Sequence, residues 1–241
     1  MWTYPARIVA HRGGGSLAPE NTIAALRCGL SHGFHAAEFD VMDAADGLVL
    51  MHDPELGRTV AGQGSIADCT VADLIGMDAG SWFAPAFANE PVPTFALARD
   101  FCITHRIWMN AEIKPVPGTE IPTGRQVALA CASLPAGSVL LSSFAMDALL
   151  AAREAVPALP RALLVEAVPD DWLARLKALD AVALHAKASL LTPAQAAAVK
   201  AAGYGLLCYT VNDPAQARAL FAMGVDAICT DRIDLIGASF A

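Results

Sequence analysis

The chain has 241 residues, 55% of them hydrophobic and 17% charged, with a formal net charge of −8 at pH 7. So apolar a composition excludes a disordered chain, and the acidic balance excludes a surface that tracks nucleic acid by charge. An acidic protein that handles an anionic substrate needs local positive charge, and a metal ion is the obvious source.

In chain order, apolar strand-like runs fall at 7–10, 37–42, 107–113, 139–142, 162–165, 181–184, 205–209 and 227–230. Helical patterns alternate with them at roughly 20–32, 94–104, 123–133, 146–155, 170–178, 193–202 and 213–223. Gly33 stops the first helix, and Pro193 and Pro214 suit first-turn positions behind Thr192 and Asp213. One stretch breaks the rhythm. Residues 48–51 read as a short extra strand, and 53–93 are rich in Gly and Pro, with one short helix near 71–77. This is expected to be an insertion after strand two that caps one end of the fold. Within it, Trp82, Phe83 and Phe87 can pack beneath the cap or touch substrate, and packing is the main expectation.

Strands and helices in strict alternation predict a (β/α)8 TIM barrel, one domain over 1–241 with the insertion at 53–93. The rival is a doubly wound open sheet. The Gly13-Gly14-Gly15 run lacks the spacing of a dinucleotide loop, and polar residues close nearly every strand: His11, Asp40, Glu112, Lys114, Ser142, Ser143, Glu166, His185, Asn212, Thr230 and Asp231. A barrel gathers those ends at one mouth, whereas an open sheet spreads them along an edge. The six cysteines (28, 69, 102, 131, 208, 229) show no Cys-x-x-Cys pair and no zinc-finger spacing, so they read as reduced, largely buried thiols. No apolar run approaches a membrane span, and the strand at residue 7 leaves no room before it for a signal peptide. The expectation is a cytoplasmic protein without a membrane anchor.

Side chains two apart on a strand share a face. Glu38 and Asp40 therefore point the same way, as do Glu112 and Lys114. Three carboxylates are hard oxygen donors and suit Mg2+ or Ca2+, and no Cys/His spacing favours zinc. Arg12 and Lys114 can bind phosphate oxygens. His11 and His52 remain to take and give a proton near neutral pH. Each short motif alone is commonplace on a protein surface. Their order, each after an apolar run, points to metal-assisted phosphodiester cleavage. His32, His35 and His105 lie at helix ends and read as surface residues.

His11-Arg12-Gly13 with Pro19-Glu20-Asn21-Thr22, Glu38-Phe39-Asp40-Val41, His52-Asp53, Glu112-Ile113-Lys114 and Tyr209-Thr210-Val211-Asn212 closely resemble the glycerophosphodiester phosphodiesterase family, in particular its short cytosolic bacterial members. The resemblance runs from His11 to about Ile236. It implies hydrolysis of glycerophosphodiesters to sn-glycerol 3-phosphate and an alcohol, with these small molecules as partners and no nucleic acid. Position by position it implies His11 and His52 as catalytic, Glu38, Asp40 and Glu112 as metal ligands, and Arg12 and Lys114 as phosphate contacts. Tyr209 stands where many relatives carry Trp, which leaves the pocket shape open, and Phe95 stands where Leu is usual. Glu166, His185 and Tyr209 are candidate pocket residues. Two alternatives are kept: a related barrel acting on lysophospholipids, and a non-catalytic barrel that binds phosphate ligands.

Overall fold

The computed structural model describes residues 2–240; the two end residues of the expected 1–241 domain lie outside the described residues. Its strands are β1 (Ile8–Ala10), β2 (Ala36–Asp43), β3 (Leu48–Leu50), β4 (Trp108–Ile113), β5 (Val139–Ser143), β6 (Arg161–Val165), β7 (Ala183–Lys187), β8 (Gly205–Tyr209) and β9 (Ala227–Thr230). The order β1-β9-β8-β7-β6-β5-β4-β2, with β1 also pairing β2, closes eight parallel strands into a barrel. β3 folds back antiparallel on the end of β2, pairing Val41 with Leu50. The helices are α1 (Ile23–Ser31), α2 (Val71–Ile75), α3 (Phe95–His105), α4 (Glu120–Cys131), α5 (Met146–Ala155), α6 (Trp172–Leu179), α7 (Pro193–Ala201) and α8 (Pro214–Ala222). This is the expected (β/α)8 fold. Among the described residues no helix follows β9; a short turn that buries Ile233 and Ile236 stands in the eighth position.

Local signals start the helices where side chains can meet the first free N–H groups. Thr22, Thr94 and Thr192 accept from Ala25, Leu97 and Gln195, and Gln195 returns a bond to close a capping box. α4 begins three residues before the expected 123. Pro122 falls in its first turn, where a missing N–H costs nothing.

Two layers of apolar packing follow from strand alternation. On β2, Ala37, Phe39 and Val41 face the helices; on β4, Met109, Ala111 and Ile113 do the same. Ala36, Trp108, Leu140, Leu207 and Cys229 fill the barrel interior instead. Phe39 is fully buried against Phe95, with ring centroids 6.3 Å apart, and truncating such a residue costs about 3–5 kcal/mol. The insertion has its own small core, built on Met42, Val49, Met51, Val60, Ile66, Leu74 and Val92. The inward positions left over on β2 and β4 are Glu38, Asp40, Asn110 and Glu112, so the cost of burying polar groups is concentrated at one place.

Candidate active site

β2 and β4 run side by side in a register that sets Asp40 opposite Glu112 and Glu38 opposite Asn110. Carboxylate oxygens of Glu38, Asp40 and Glu112 consequently lie within 4.8 Å of one another, all buried. Asp40 is well supplied with partners. Asn21 Nδ2 donates to it at 2.8 Å, Lys114 Nζ stands at 3.3 Å and Arg12 Nε at 3.7 Å. Burial alone would raise its pKa, but Lys114, Arg12, His52 and Asn21 outweigh burial and hold it below the usual range. Glu38 and Glu112 go the other way. Burial, then repulsion from Asp40, pushes Glu38 up to about 7. Burial, Asp40 and Glu38 together raise Glu112 well above its ordinary value. Glu112 has only a loose ion pair, with Lys114 Nζ at 3.9 Å. Three buried carboxylates, two of them short of positive charge, form a donor set that fits a hard divalent cation.

The two histidines flank this cluster. His11 Nδ1 donates to Asp231 Oδ1 at 2.5 Å, and its Nε2 lies 3.7 Å from Glu38 Oε2. Asp231 is clamped in turn by Asn212, whose Nδ2 donates to Asp231 Oδ2 at 2.9 Å and whose Oδ1 accepts the Asp231 N–H at 2.8 Å. Burial works to lower His11, but the bond to Asp231 and the charge of Glu38 win and leave its pKa raised. His52, just past β3, donates Nδ1 to Asp53 at 2.7 Å. Burial lowers His52 most; Asp40 and Asp53 pull it up, Lys114 and Arg12 push it down, and the net shift is downward. The two imidazoles are thus biased in opposite directions from the same ordinary value, with Nε2 as the free nitrogen of each.

The loop after β1 provides an anion site. Arg12 adopts a left-handed backbone (φ 49°), as does Gly13 (φ 89°), and this turns the Arg12 N–H onto Glu38 Oε2 at 3.0 Å. Gly15 passes so close to Asp231 that a Cβ there would collide with the Asp231 carbonyl; only glycine permits the approach. Arg12 Nη1 donates to Glu20 at 2.6 Å, while its Nε is buried without a hydrogen bond. A buried unpaired donor beside a carboxylate cluster suits an incoming phosphate oxygen. A cleft of about 610 Å³ opens above His11 and Arg12, with Trp82 and Phe83 of the insertion on its far wall. Those two rings and Phe87 stack edge to face at 5.7 and 5.5 Å. Trp82 and Phe83 therefore both pack and line the cleft, which joins the two roles open to them.

His11, Arg12, Glu38, Asp40, His52, Glu112 and Lys114 are brought together at the mouth. The three pocket candidates are not alike. His185 was expected to follow its strand and face the mouth. Instead β7 continues to Lys187, paired with Tyr209 on β8, so His185 sits inside the strand. It is fully buried in the barrel, bonded through Nε2 to Tyr4 OH at 3.0 Å, and burial lowers its pKa to about 3. Glu166 is exposed at the rim and paired with Lys187 at 3.6 Å. Tyr209 donates its hydroxyl to Val165 O at 2.8 Å and packs edge to face on Phe144. Sequence reasoning did not assign roles to Asp231, Asn212, Glu20, Asn21, Asp53 or Arg58. Glu20, Asn21, Asp53 and Asn212 stand in the motifs quoted above, and Asp231 among the polar residues that close strands, which was the available signal. Arg58 lies in the glycine-rich insertion and carried none.

The profile of the glycerophosphoryl diester phosphodiesterase family matches residues 11–235. The chain belongs to that family. Among relatives, Bacillus subtilis YhdW is 33% identical over 95% of this chain and 96% of its own. The glycerophosphodiester phosphodiesterase of Caldanaerobacter subterraneus subsp. tengcongensis is 31% identical over 93% of each chain. Among solved structures, an Oleispira antarctica phosphodiesterase in complex with the product sn-glycerol-3-phosphate superposes with a TM-score of 0.89 at 36% identity, covering 93% of this chain and 92% of that one.

Proposed function

We propose that this protein hydrolyses glycerophosphodiesters to sn-glycerol 3-phosphate and the free alcohol, using a hard divalent cation and the His11–His52 pair. The observation that carries the reading is the convergence of Glu38, Asp40 and Glu112 between two carboxylate-oriented histidines, in a chain of this family. The Oleispira phosphodiesterase, 36% identical, was solved with sn-glycerol-3-phosphate, which supports the same product here.

Magnesium or calcium held by Glu38, Asp40 and Glu112 would offset the charge of the phosphate and of its transition state. Arg12 and Lys114, both beside Asp40, bind the remaining phosphate oxygens. His52, biased toward the neutral form, takes the proton of the attacking water. His11, biased toward the protonated form, gives one from Nε2 to the leaving alkoxide. Asp53 and Asp231 fix both rings so that Nε2 faces the reaction. No helix among the described residues is long and apolar enough to cross a membrane. A water-soluble substrate and free cysteines favour the cytoplasm as the compartment.

Incubating the purified protein with glycerophosphocholine and lysophosphatidylcholine in parallel, each with Mg2+ or Ca2+, tests the reading. Release of sn-glycerol 3-phosphate from the first is the expected result. Turnover of the lysolipid alone, or of neither, would overturn it.

A further inference from the structure

Three neighbouring strands bring a second set of ligand atoms together beside the carboxylates, with Glu38 common to both sets, so that an ion in one competes with an ion in the other. β1 lies between β9 and β2. Cys229 on β9 and Asp231 beyond it are two apart and share a face. Asp231 holds His11 Nδ1, which leaves Nε2 facing Glu38 at 3.7 Å, free to bind a metal once its proton is lost. His11, Glu38 and Cys229 offer one atom each, nitrogen, oxygen and sulfur, all within 4.8 Å of one another. We propose that these three residues form a second metal site, selective for a soft divalent ion such as Zn2+, and that its occupation inhibits the enzyme by taking the Nε2 that moves the proton. The inhibition rests on the phosphodiesterase reading; the binding does not.

The donor chemistry separates this site from the one beside it. Magnesium and calcium avoid sulfur, whereas Zn2+ takes Cys, His and carboxylate together, in three-ligand sites that keep a fourth position open. Bonds of about 2.0–2.3 Å place tetrahedral ligand atoms roughly 3.3–3.8 Å apart, so closing from 4.8 Å needs about an ångström of side-chain movement. The carboxylate–histidine pair is the orientation that metal-bound histidines use. A cavity of about 30 Å³ adjoins the three residues and is lined also by Asn110 and His185. Those two lining residues carry buried atoms without hydrogen-bond partners, Asn110 Oδ1 and His185 Nδ1. A water needs about 10–15 Å³ of such volume, so the cavity has room for one as fourth ligand, with both orphaned atoms to receive it. As the sulfur–metal bond forms, the thiol proton passes to solvent, together with that of Nε2 when it is protonated. No oxidant or reductant takes part.

Sequence spacing hides the site. His11 and Cys229 are at opposite ends of the chain and meet only because the barrel closes.

The test uses reduced enzyme saturated with Mg2+ and titrated with Zn2+, beside Cys229→Ala and Cys229→Ser. Zinc should inhibit the wild type, and the inhibitory concentration should rise at least about a hundredfold in both variants, while activity with Mg2+ alone is kept. In parallel, Cd2+ should give a sulfur-to-metal charge-transfer band in the wild type that each folded variant lacks, which subtracts any contribution from the other cysteines. This band is read without turnover, so it stands whatever the fate of the proposed activity. Equal zinc inhibition in the variants, or an undiminished cadmium band in them, would overturn the proposal.

Discussion

His11 and His52 each give Nδ1 to a carboxylate, at 2.5 and 2.7 Å, but the two carboxylates come from different kinds of structure. Asp231 follows β9, 220 residues from His11, and reaches it because β1 and β9 share a parallel ladder from Ile8–Ile228 to Ala10–Thr230. Asp53 is the neighbour of His52 in the chain and belongs to the insertion. It is held by Arg58 Nε at 2.5 Å, and Arg58 grips Glu20 with two further bonds of 2.9 and 2.7 Å. Glu20 in turn holds Arg12. An ion-pair chain thus ties the insertion to the barrel. Exposure follows the same division: the His11 side chain is 18% exposed, His52 30% and Arg58 45%. The barrel half of the site is fixed by sheet geometry, and the insertion half by ion pairs that salt can screen.

The largest effects should come from the barrel half. Glu38→Gln, Asp40→Asn or Glu112→Gln should each lower kcat about 10³-fold or more while far-ultraviolet circular dichroism stays native; near-normal turnover in any of them removes that residue from the cation site. His11→Ala and His52→Ala should each cost a factor of about 10²–10⁴, and the double variant less than the product, because the pair acts as a unit. Activity should fall on the acid side as His52 protonates, below its ordinary 6.5, and on the alkaline side as His11 deprotonates, above 6.5. His11→Ala should remove the alkaline limb alone.

Arg58→Ala sharpens the comparison. Loosening Asp53 should cost about tenfold in kcat through misplacement of His52 and leave the affinity for the cation unchanged. Raised salt should slow the wild type toward the variant. A variant with weakened metal binding and normal kcat would reverse the division drawn here. A smaller effect concerns stability. In metal-free protein, Glu38 and Glu112 bind protons more tightly folded than unfolded. Their contribution is fully present below the ordinary 4.5 and is lost as pH rises through about 7 for Glu38. The melting temperature should therefore fall over that window, Mg2+ should restore it, and Glu112→Gln should flatten the fall. At the small end, Glu166→Gln, which removes an exposed pair with Lys187, should leave kcat and KM near their original values.

The same division explains what was legible in the sequence. Strand periodicity put Glu38 with Asp40 and Glu112 with Lys114 on shared faces, and barrel closure did the rest. Periodicity assigns a face but not a partner, so Asp231 could be seen to end a strand without being seen to hold His11. Arg58 sits among glycines, where no pattern marks a side chain. An apolar run read as 181–184 puts His185 past the strand, whereas pairing with β8 carries β7 on to Lys187. Hydrophobicity marks burial, whereas a strand's ends depend on where its neighbours pair.

The central claim is that a hard cation on Glu38, Asp40 and Glu112 is required for cleavage. The direct measurement is release of sn-glycerol 3-phosphate from glycerophosphocholine by EDTA-dialysed protein, before and after Mg2+ or Ca2+ is restored, with Glu112→Gln alongside. The account predicts no product without the ion, recovery with it in the wild type, and no recovery in the variant. Undiminished product in EDTA would contradict it.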